Sequence, residues 1–237
     1  MLGLYIGIIL LLNIPYVQHR MSVLVAKELS TVLGSELTVG RINIGLLNRI
    51  IIDDLVLNDQ SGKELLKIGR LSAKFEILPL FSGKISIGNV QLFSFNANLE
   101  RPTPQASTNF QFVLDAFASK DTVKKKSNLD LRINSLLIRR GKVSYDVLSA
   151  ESTPGKFNPQ HIRLSNILAN ISLKALQNDS VNAAIKRMSV EEEHSGFELK
   201  KLSLKIIANN RKMRIENFAI DLPNTSLAMD TIRMAVS

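Results

Sequence analysis

Between residues 37 and 44 the chain reads Leu-Thr-Val-Gly-Arg-Ile-Asn-Ile: apolar, polar, apolar, two polar, apolar, polar, apolar. The figure starts again at Ile50, Leu66, Ile85, Leu131, Ile162, Phe197 and Met213. The middle pairs of these copies are Asp53-Asp54, Gly69-Arg70, Gly88-Asn89, Asn134-Ser135, Ser165-Asn166, Lys200-Lys201 and Glu216-Asn217. The copies at Leu37, Leu66, Ile85 and Phe197 are strict, and the others admit an apolar residue into a polar slot. At about 100° per residue a helix scatters four such positions around its axis, so the figure is not helical. A strand holds each apolar pair on one face, but the three-residue step between the pairs reverses parity unless an extra residue is absorbed. The figure therefore predicts strands that each carry a β-bulge or tight bend at the middle pair. Gly40, Gly69 and Gly88 fall in those slots, where a residue tolerating positive φ is useful.

Polar breaks at Asn58-Asp59-Gln60-Ser61-Gly62 and Ser82-Gly83 read as hairpin turns, which makes neighbouring strands antiparallel. Phe93, Phe95, Ala97 and Leu99 extend the last strand of this group by plain alternation. From 102 to 127 the pattern stops, opening with Pro102 and Pro104 and closing on Lys124-Lys125-Lys126. Within it Phe110, Val113, Leu114 and Phe117 line one side of a short helix, read as a packed surface helix in preference to a lid or partner contact. Strands resume at Leu129, with 131–138, a turn at Arg139-Arg140-Gly141, then Val143, Tyr145 and Val147. Others start at Ile162, Val181, Phe197 and Met213. Leu227, Met229 and Ile232 read as the start of a strand pair left incomplete, which predicts a longer parent protein.

Ahead of the strands, residues 2–17 carry no charge. Leu2, Leu4, Ile6, Ile8, Ile9, Leu10, Leu11 and Leu12 form a run at the short edge of what spans a bilayer. With no basic residues before it and no small-x-small site after it, 1–17 reads as an uncleaved transmembrane anchor in preference to a signal peptide. Arg20, the nearest positive charge, lies on the far side, so the positive-inside rule does not send the rest of the chain outward. A start codon placed too late explains both the shortness and the missing charge. In 18–34, Met21, Leu24, Val25, Leu29, Val32 and Leu33 recur at helical spacing opposite Arg20, Lys27 and Ser30, and Gly34 suits a C-terminal cap. This amphipathic helix is expected to lie on a membrane, to plug one end of the sheet, or simply to pack on it.

Composition narrows the chemistry. Apolar residues make up 45% and charged residues 22% of the 237, a globular balance. Aromatics make up only 5%, with no Trp, so the apolar strand faces have few bulky rings to fill a second layer. Absence of Cys excludes a disulfide scaffold and thiolate metal sites. His19, His161 and His194 have no ligand spacing, Asp53-Asp54 reads as a solvated bend, and Glu191-Glu192-Glu193 reads as a charged loop. No Gly-Lys dipeptide has the glycine a phosphate loop needs. No catalytic residue, cofactor or metal is expected. The net charge of +9 is concentrated: 121–142 has seven basic and two acidic residues, and 200–214 six basic and none acidic. Nucleic acid would want aromatics interleaved with these cations, which are missing. Anionic phospholipid head groups are the better match, beside a solvated basic face with no partner.

Certain words of the sequence go further. Ile14-Pro15-Tyr16-Val17-Gln18 follows the apolar run, Val39-Gly40-Arg41 opens the first strand, and Asp59-Gln60-Ser61-Gly62 precedes Leu65-Leu66. Gly69-Arg70-Leu71-Ser72 comes next, then Asn109-Phe110-Gln111-Phe112 and Asp115-Ala116-Phe117-Ala118-Ser119-Lys120-Asp121. In combination, 13–121 resembles the N-terminal part of TamB-type proteins of the AsmA-like superfamily, in the form seen in Bacteroidetes. From Leu129 onward only the strand style agrees, as in Ile138-Arg139-Arg140-Gly141-Lys142-Val143-Ser144-Tyr145.

The resemblance implies a mainly β fold: an N-terminal transmembrane helix and an amphipathic helix, then an elongated antiparallel sheet curled into a taco-like groove. It implies a single-pass inner-membrane protein of a Gram-negative bacterium, with its bulk in the periplasm, that carries phospholipid between inner and outer membranes. The alternative is an assembly factor for outer-membrane β-barrel proteins, working by β-augmentation; a BamA/TamA-like barrel partner would meet a C-terminal region not present here. On this reading 35–101 and 129–237 are two groove modules joined by the linker 102–128. Leu37, Val39, Ile42, Ile44, Ile50, Ile52, Leu55 and Leu57 are expected to line the groove in its first two strands. Ile85, Ile87, Val90, Leu92, Phe93, Phe95, Leu131, Ile133, Leu136 and Ile138 follow, then Leu202, Leu204, Ile215, Phe218 and Ile220.

Overall fold

A computed structural model describes residues 3, 7, 10–45, 48–75, 85–117, 129–130, 134–177, 180–209 and 212–235. Its frame is an open sheet. The strands are β1 (Leu37–Gly45), β2 (Arg49–Asn58), β3 (Glu64–Phe75), β4 (Ile85–Arg101), β5 (Leu129–Asp130), β6 (Ser135–Val147), β7 (His161–Gln177), β8 (Ser180–Glu192), β9 (Phe197–Asn209), β10 (Lys212–Leu222) and β11 (Thr225–Ala235). The ladder runs β1-β2-β3-β4-β6-β7-β8-β9-β10-β11, with the two-residue β5 pairing β4 beside that path. Pairing along the ladder is antiparallel except between β4 and β6, which run parallel. A hairpin cannot join parallel neighbours; a crossover of a dozen or more residues is required. The pattern-breaking stretch after β4 supplies it and carries the short helix α2 (Gln111–Phe117).

The longer helix, α1 (Pro15–Leu33), starts three residues before the amphipathic stretch read from the spacing. Proline suits the first helical position, where its missing N–H costs nothing. Gly34 caps the other end at φ 64° and donates its N–H to the Ser30 carbonyl. The face that packs is rotated from the one the apolar spacing selects and shares Leu29 and Leu33 with it. Gln18, Ser22 and Leu33 are buried, with Ala26 and Leu29 beside them, while Leu24 and Val32 remain 63% and 57% exposed. The reason is the surface α1 meets, which is the edge of β1. Ser30 Oγ accepts the Leu37 N–H at 2.9 Å and lies 3.3 Å from the Leu37 carbonyl as donor. Gln18 Nε2 donates to Asn43 Oδ1 at 2.6 Å, and Asn13 Nδ2 to the Ile44 carbonyl at 2.8 Å. A strand edge carries unpaired backbone groups, so it takes polar and small side chains in place of Leu24 and Val32.

Among the described residues no helix is long and apolar enough to cross a membrane. Of the run read as an anchor, Leu2, Leu4, Ile6, Ile8 and Ile9 lie outside the described residues, and residues 10–12 are helical up to a turn at Asn13. Two apolar clusters hold the sheet. Leu33, Leu37, Leu57 and the fully buried Leu65 form one, covered by Leu29 of α1 and by Phe110, Phe112 and Val113 around α2. Ile167, Val190 and Leu199 form the other, with Phe95, Ile138, Val143 and Leu202 packed against them.

Candidate functional site

Six of the eight copies of the figure lie as the spacing places them, in β1, β2, β3, β7, β9 and β10. In β2, β7 and β10 the second residue of the middle pair, Asp54, Asn166 and Asn217, has φ of 55°, 50° and 53°. One left-handed residue absorbs the odd step, so both apolar pairs of a strand return to the same face. The register carries this across β1 and β2, where Leu37 pairs with Leu57, Val39 with Leu55, Ile42 with Ile52 and Ile44 with Ile50.

The glycines do a different job from the one expected of them. Neither Gly40, Gly69 nor Gly88 has positive φ; the left-handed residues are Asp54, Asn166 and Asn217, with Ser94 and Arg140 in β4 and β6. Gly40 stands beside Asp54, and a Cβ placed on it would lie 3.0 Å from the Asp54 Cβ. A Cβ on Gly69 would lie 3.3 Å from that of Ser94. A left-handed residue pushes its side chain toward the neighbouring strand, and the missing Cβ there makes the close approach tolerable.

Two copies were read out of frame by five residues. In β4 the bend falls at Phe93-Ser94 (Ser94 φ 53°), and in β6 at Arg139-Arg140 (Arg140 φ 54°), so the frames begin at Val90 and Leu136. Arg139-Arg140-Gly141 is therefore a bend inside one continuous strand, not a hairpin turn. Phe93 does not share the face of Leu92 and Phe95. It pairs with Arg70 and Arg139 and lines an outer hollow with Arg41 and Asp53.

From β1 to β6 the bends lie in register: Ile42, Ile52, Leu71, Leu92 and Ile138 form one row of partners on the inner face. From β6 to β10 the bends are stepped, and register shifts between β6 and β7, β7 and β8, β8 and β9, and β9 and β10 take up the offset; β10 and β11 pair in register again. Ile42, Leu55 and Leu57 are buried, whereas Ile44, Ile50, Ile52, Val90, Leu92, Phe95, Leu136, Ile138, Leu202, Leu204, Ile215, Phe218 and Ile220 are half-buried. The side chains of Ile85 and Ile87, and all of Leu131 and Ile133, lie outside the described part. Sequence reasoning missed Ile68, Leu71, Val143, Ile167, Ala169, Val190 and Leu199 on this face. The signal was present: Ala183, Ile185, Met188 and Val190 around Lys186-Arg187, and Leu227, Met229, Ile232 and Met234 around Asp230-Thr231, repeat the figure in β8 and β11.

The outer side of the bend is polar. A hollow of about 680 Å³ is lined by Gly40, Arg41, Asp53, Asp54, Gly69, Arg70, Phe93, Ser94 and Arg140. Arg70 Nε meets Asp53 Oδ1 at 2.6 Å, which raises the arginine's pKa further. Carboxylates tie the hairpin tips. Burial pushes the Glu192 pKa up, but hydrogen bonds from the Ser195 hydroxyl and N–H, then from the Arg163 and His194 N–H groups, outweigh it and bring it to about 2. Asp59, at the β2–β3 turn, is likewise lowered against the effect of burial by Ser61, Lys63 and Asn109. His161 is held by Asp146 at 2.9 Å and by the Ala150 carbonyl, and its pKa is raised. Among the described residues no three His, Asp or Glu gather to hold a metal ion. No family model matches the chain, and no curated protein matches it either.

Proposed function

We propose that the chain carries phospholipid along the inner face of its bent sheet, as the membrane-proximal part of an inner-membrane-anchored periplasmic protein. The observation that supports this most is the inner face itself. Row after row of aliphatic side chains stays half-buried, and the described helices cover only one end of β1 to β4. Exposed apolar surface of that continuity calls for a cover. Acyl chains fit, because burying a chain of roughly 16 carbons gains on the order of 10 kcal/mol at about 0.8 kcal/mol per CH₂. The TamB-like words between 13 and 121 support the same reading.

The purified 237-residue chain should carry phospholipid detectable by mass spectrometry. A photoreactive residue at Ile138 should cross-link it, and Leu92→Glu should abolish that cross-link while leaving the far-UV spectrum intact. A folded chain free of lipid, or normal cross-linking in Leu92→Glu, would overturn the reading. A second reading, pairing of client strands with a sheet edge, is favoured at one place only. α1 occupies the β1 edge, whereas β11 is exposed along 225–231.

A further inference from the structure

We infer that the outward face of α1 is a docking surface for an anionic phospholipid bilayer. Half of the large apolar side chains left exposed among the described residues fall in one short stretch. Leu10, Leu11, Ile14, Tyr16, Val23, Leu24 and Val32 are seven of fourteen. Gln18, Ser22, Ala26 and Leu29 face the sheet, so Tyr16, Val23 and Leu24 face away from it with Arg20, Lys27, Glu28 and Thr31. Arg20 lies over the Tyr16 ring, 5.5 Å from its centroid, with Nε 3.2 Å from the phenol oxygen. This is an aromatic and a cation paired on the exposed side, the arrangement that sits at the level of lipid head groups.

Two features commit the occupant to a bilayer. The strip continues into the uncharged run 2–17, and its cations, Arg20 and Lys27, outnumber its one acid, Glu28, within a chain of net charge +9. Long cations beside Tyr16, Val23 and Leu24 match the headgroup layer, where their charged ends reach phosphate while their stems and the apolar side chains lie lower. With one face against the β1 edge and the other on the bilayer, α1 would set the sheet's edge against the membrane. The inference goes beyond the lipid-carrying reading and is measured separately from it.

The chain has no cysteine, so a single Leu24→Cys carries an environment-sensitive fluorophore, with Thr225→Cys on β11 as the distant control. The 237-residue chain is added to vesicles of phosphatidylethanolamine with phosphatidylglycerol, and to vesicles of phosphatidylcholine alone. Emission at position 24 should shift to the blue on the anionic vesicles and remain unchanged at 225. Val23→Glu with Leu24→Glu should weaken binding about tenfold, and Arg20→Gln with Lys27→Gln should remove the preference for anionic vesicles. Because these four side chains are exposed, circular dichroism should be unaltered. If the protein binds while position 24 stays in water, the apolar run alone holds it and the inference is wrong. A blue shift that grows with protein concentration without vesicles assigns the face to a second copy and equally overturns it. Lipid cross-linking at Ile138 is scored on the same samples, so failure of the groove shows there and failure of docking at 24.

Discussion

The two ends of the sheet solve one problem in different ways. Between β1 and β6 the bends stand in register, and the crowding created by left-handed Asp54 and Ser94 is met by Gly40 and Gly69 on the neighbouring strand. Between β7 and β10 no glycine occupies a bend, and register shifts separate successive bends instead; β10 and β11 then pair in register, Glu216 with Thr231 and Phe218 with Met229, again without a glycine. At the first end α1 and α2 build a dense cluster with the strands, and at the other β11 is exposed along 225–231. Between β1 and β4 the crease stays straight where a missing side chain receives the left-handed residue, and between β7 and β10, where no glycine faces the bend, the pairing slips.

The largest test of that difference is Leu65→Ala against Leu227→Ala. Leu65 is fully buried among the helices, so its truncation should cost about 2–5 kcal/mol. Leu227 is 46% exposed, and its truncation should stay within about 0.5 kcal/mol. Urea unfolding of both variants reads the contrast, and equal midpoints would break it. Next comes Gly141→Ala: a Cβ there drives into the Phe95 ring, so a loss of about 1–3 kcal/mol is expected. Lys201→Ala, at a stepped bend, should be near neutral on the same assay.

Smaller again is Ser30→Ala, which strips the Leu37 N–H of its partner. A loss of about 1 kcal/mol is expected, with faster hydrogen exchange at Leu37 and no change along β11. The last effect appears only in acid. The folded pKa of Glu192 is about 2 against an ordinary 4.5, so its stabilisation is complete above about 4.5 and drains away as pH falls toward 2. Asp59, also lowered, acts in the same direction at the other end. Stability measured against pH should fall less steeply over this window for Glu192→Gln than for the native chain. Parallel curves would remove Glu192 as the cause.

How much of this can be read from residues alone depends on what each residue faces. The spacing of the figure suffices for β2, β7 and β10, because polar Asp, Ser, Asn and Glu occupy the bend and apolar residues flank it. In β4 it fails because Phe93 fills a polar slot, and in β6 because Gly141 stands where an apolar residue was sought. The face of α1 is only partly legible because apolar periodicity assumes an apolar partner: Leu29 and Leu33 find one beside Leu37, Leu57 and Leu65, whereas Gln18 and Ser30 meet the polar edge of β1. The parallel join of β4 to β6 was hidden for another reason: alternation records which side a residue faces and carries no strand direction.

Each strand of the ladder carries its own copy of the figure, so the cross-section of the sheet is fixed by one strand and its length only by their number. At about 4.8 Å between neighbours, the nine steps from β1 to β11 reach about 43 Å, more than the roughly 30 Å of a bilayer's hydrocarbon. One more hairpin of the same figure would add about 10 Å without altering the profile. Reach and calibre are thereby separate variables, one set by counting strands and the other by where the figure breaks within a strand.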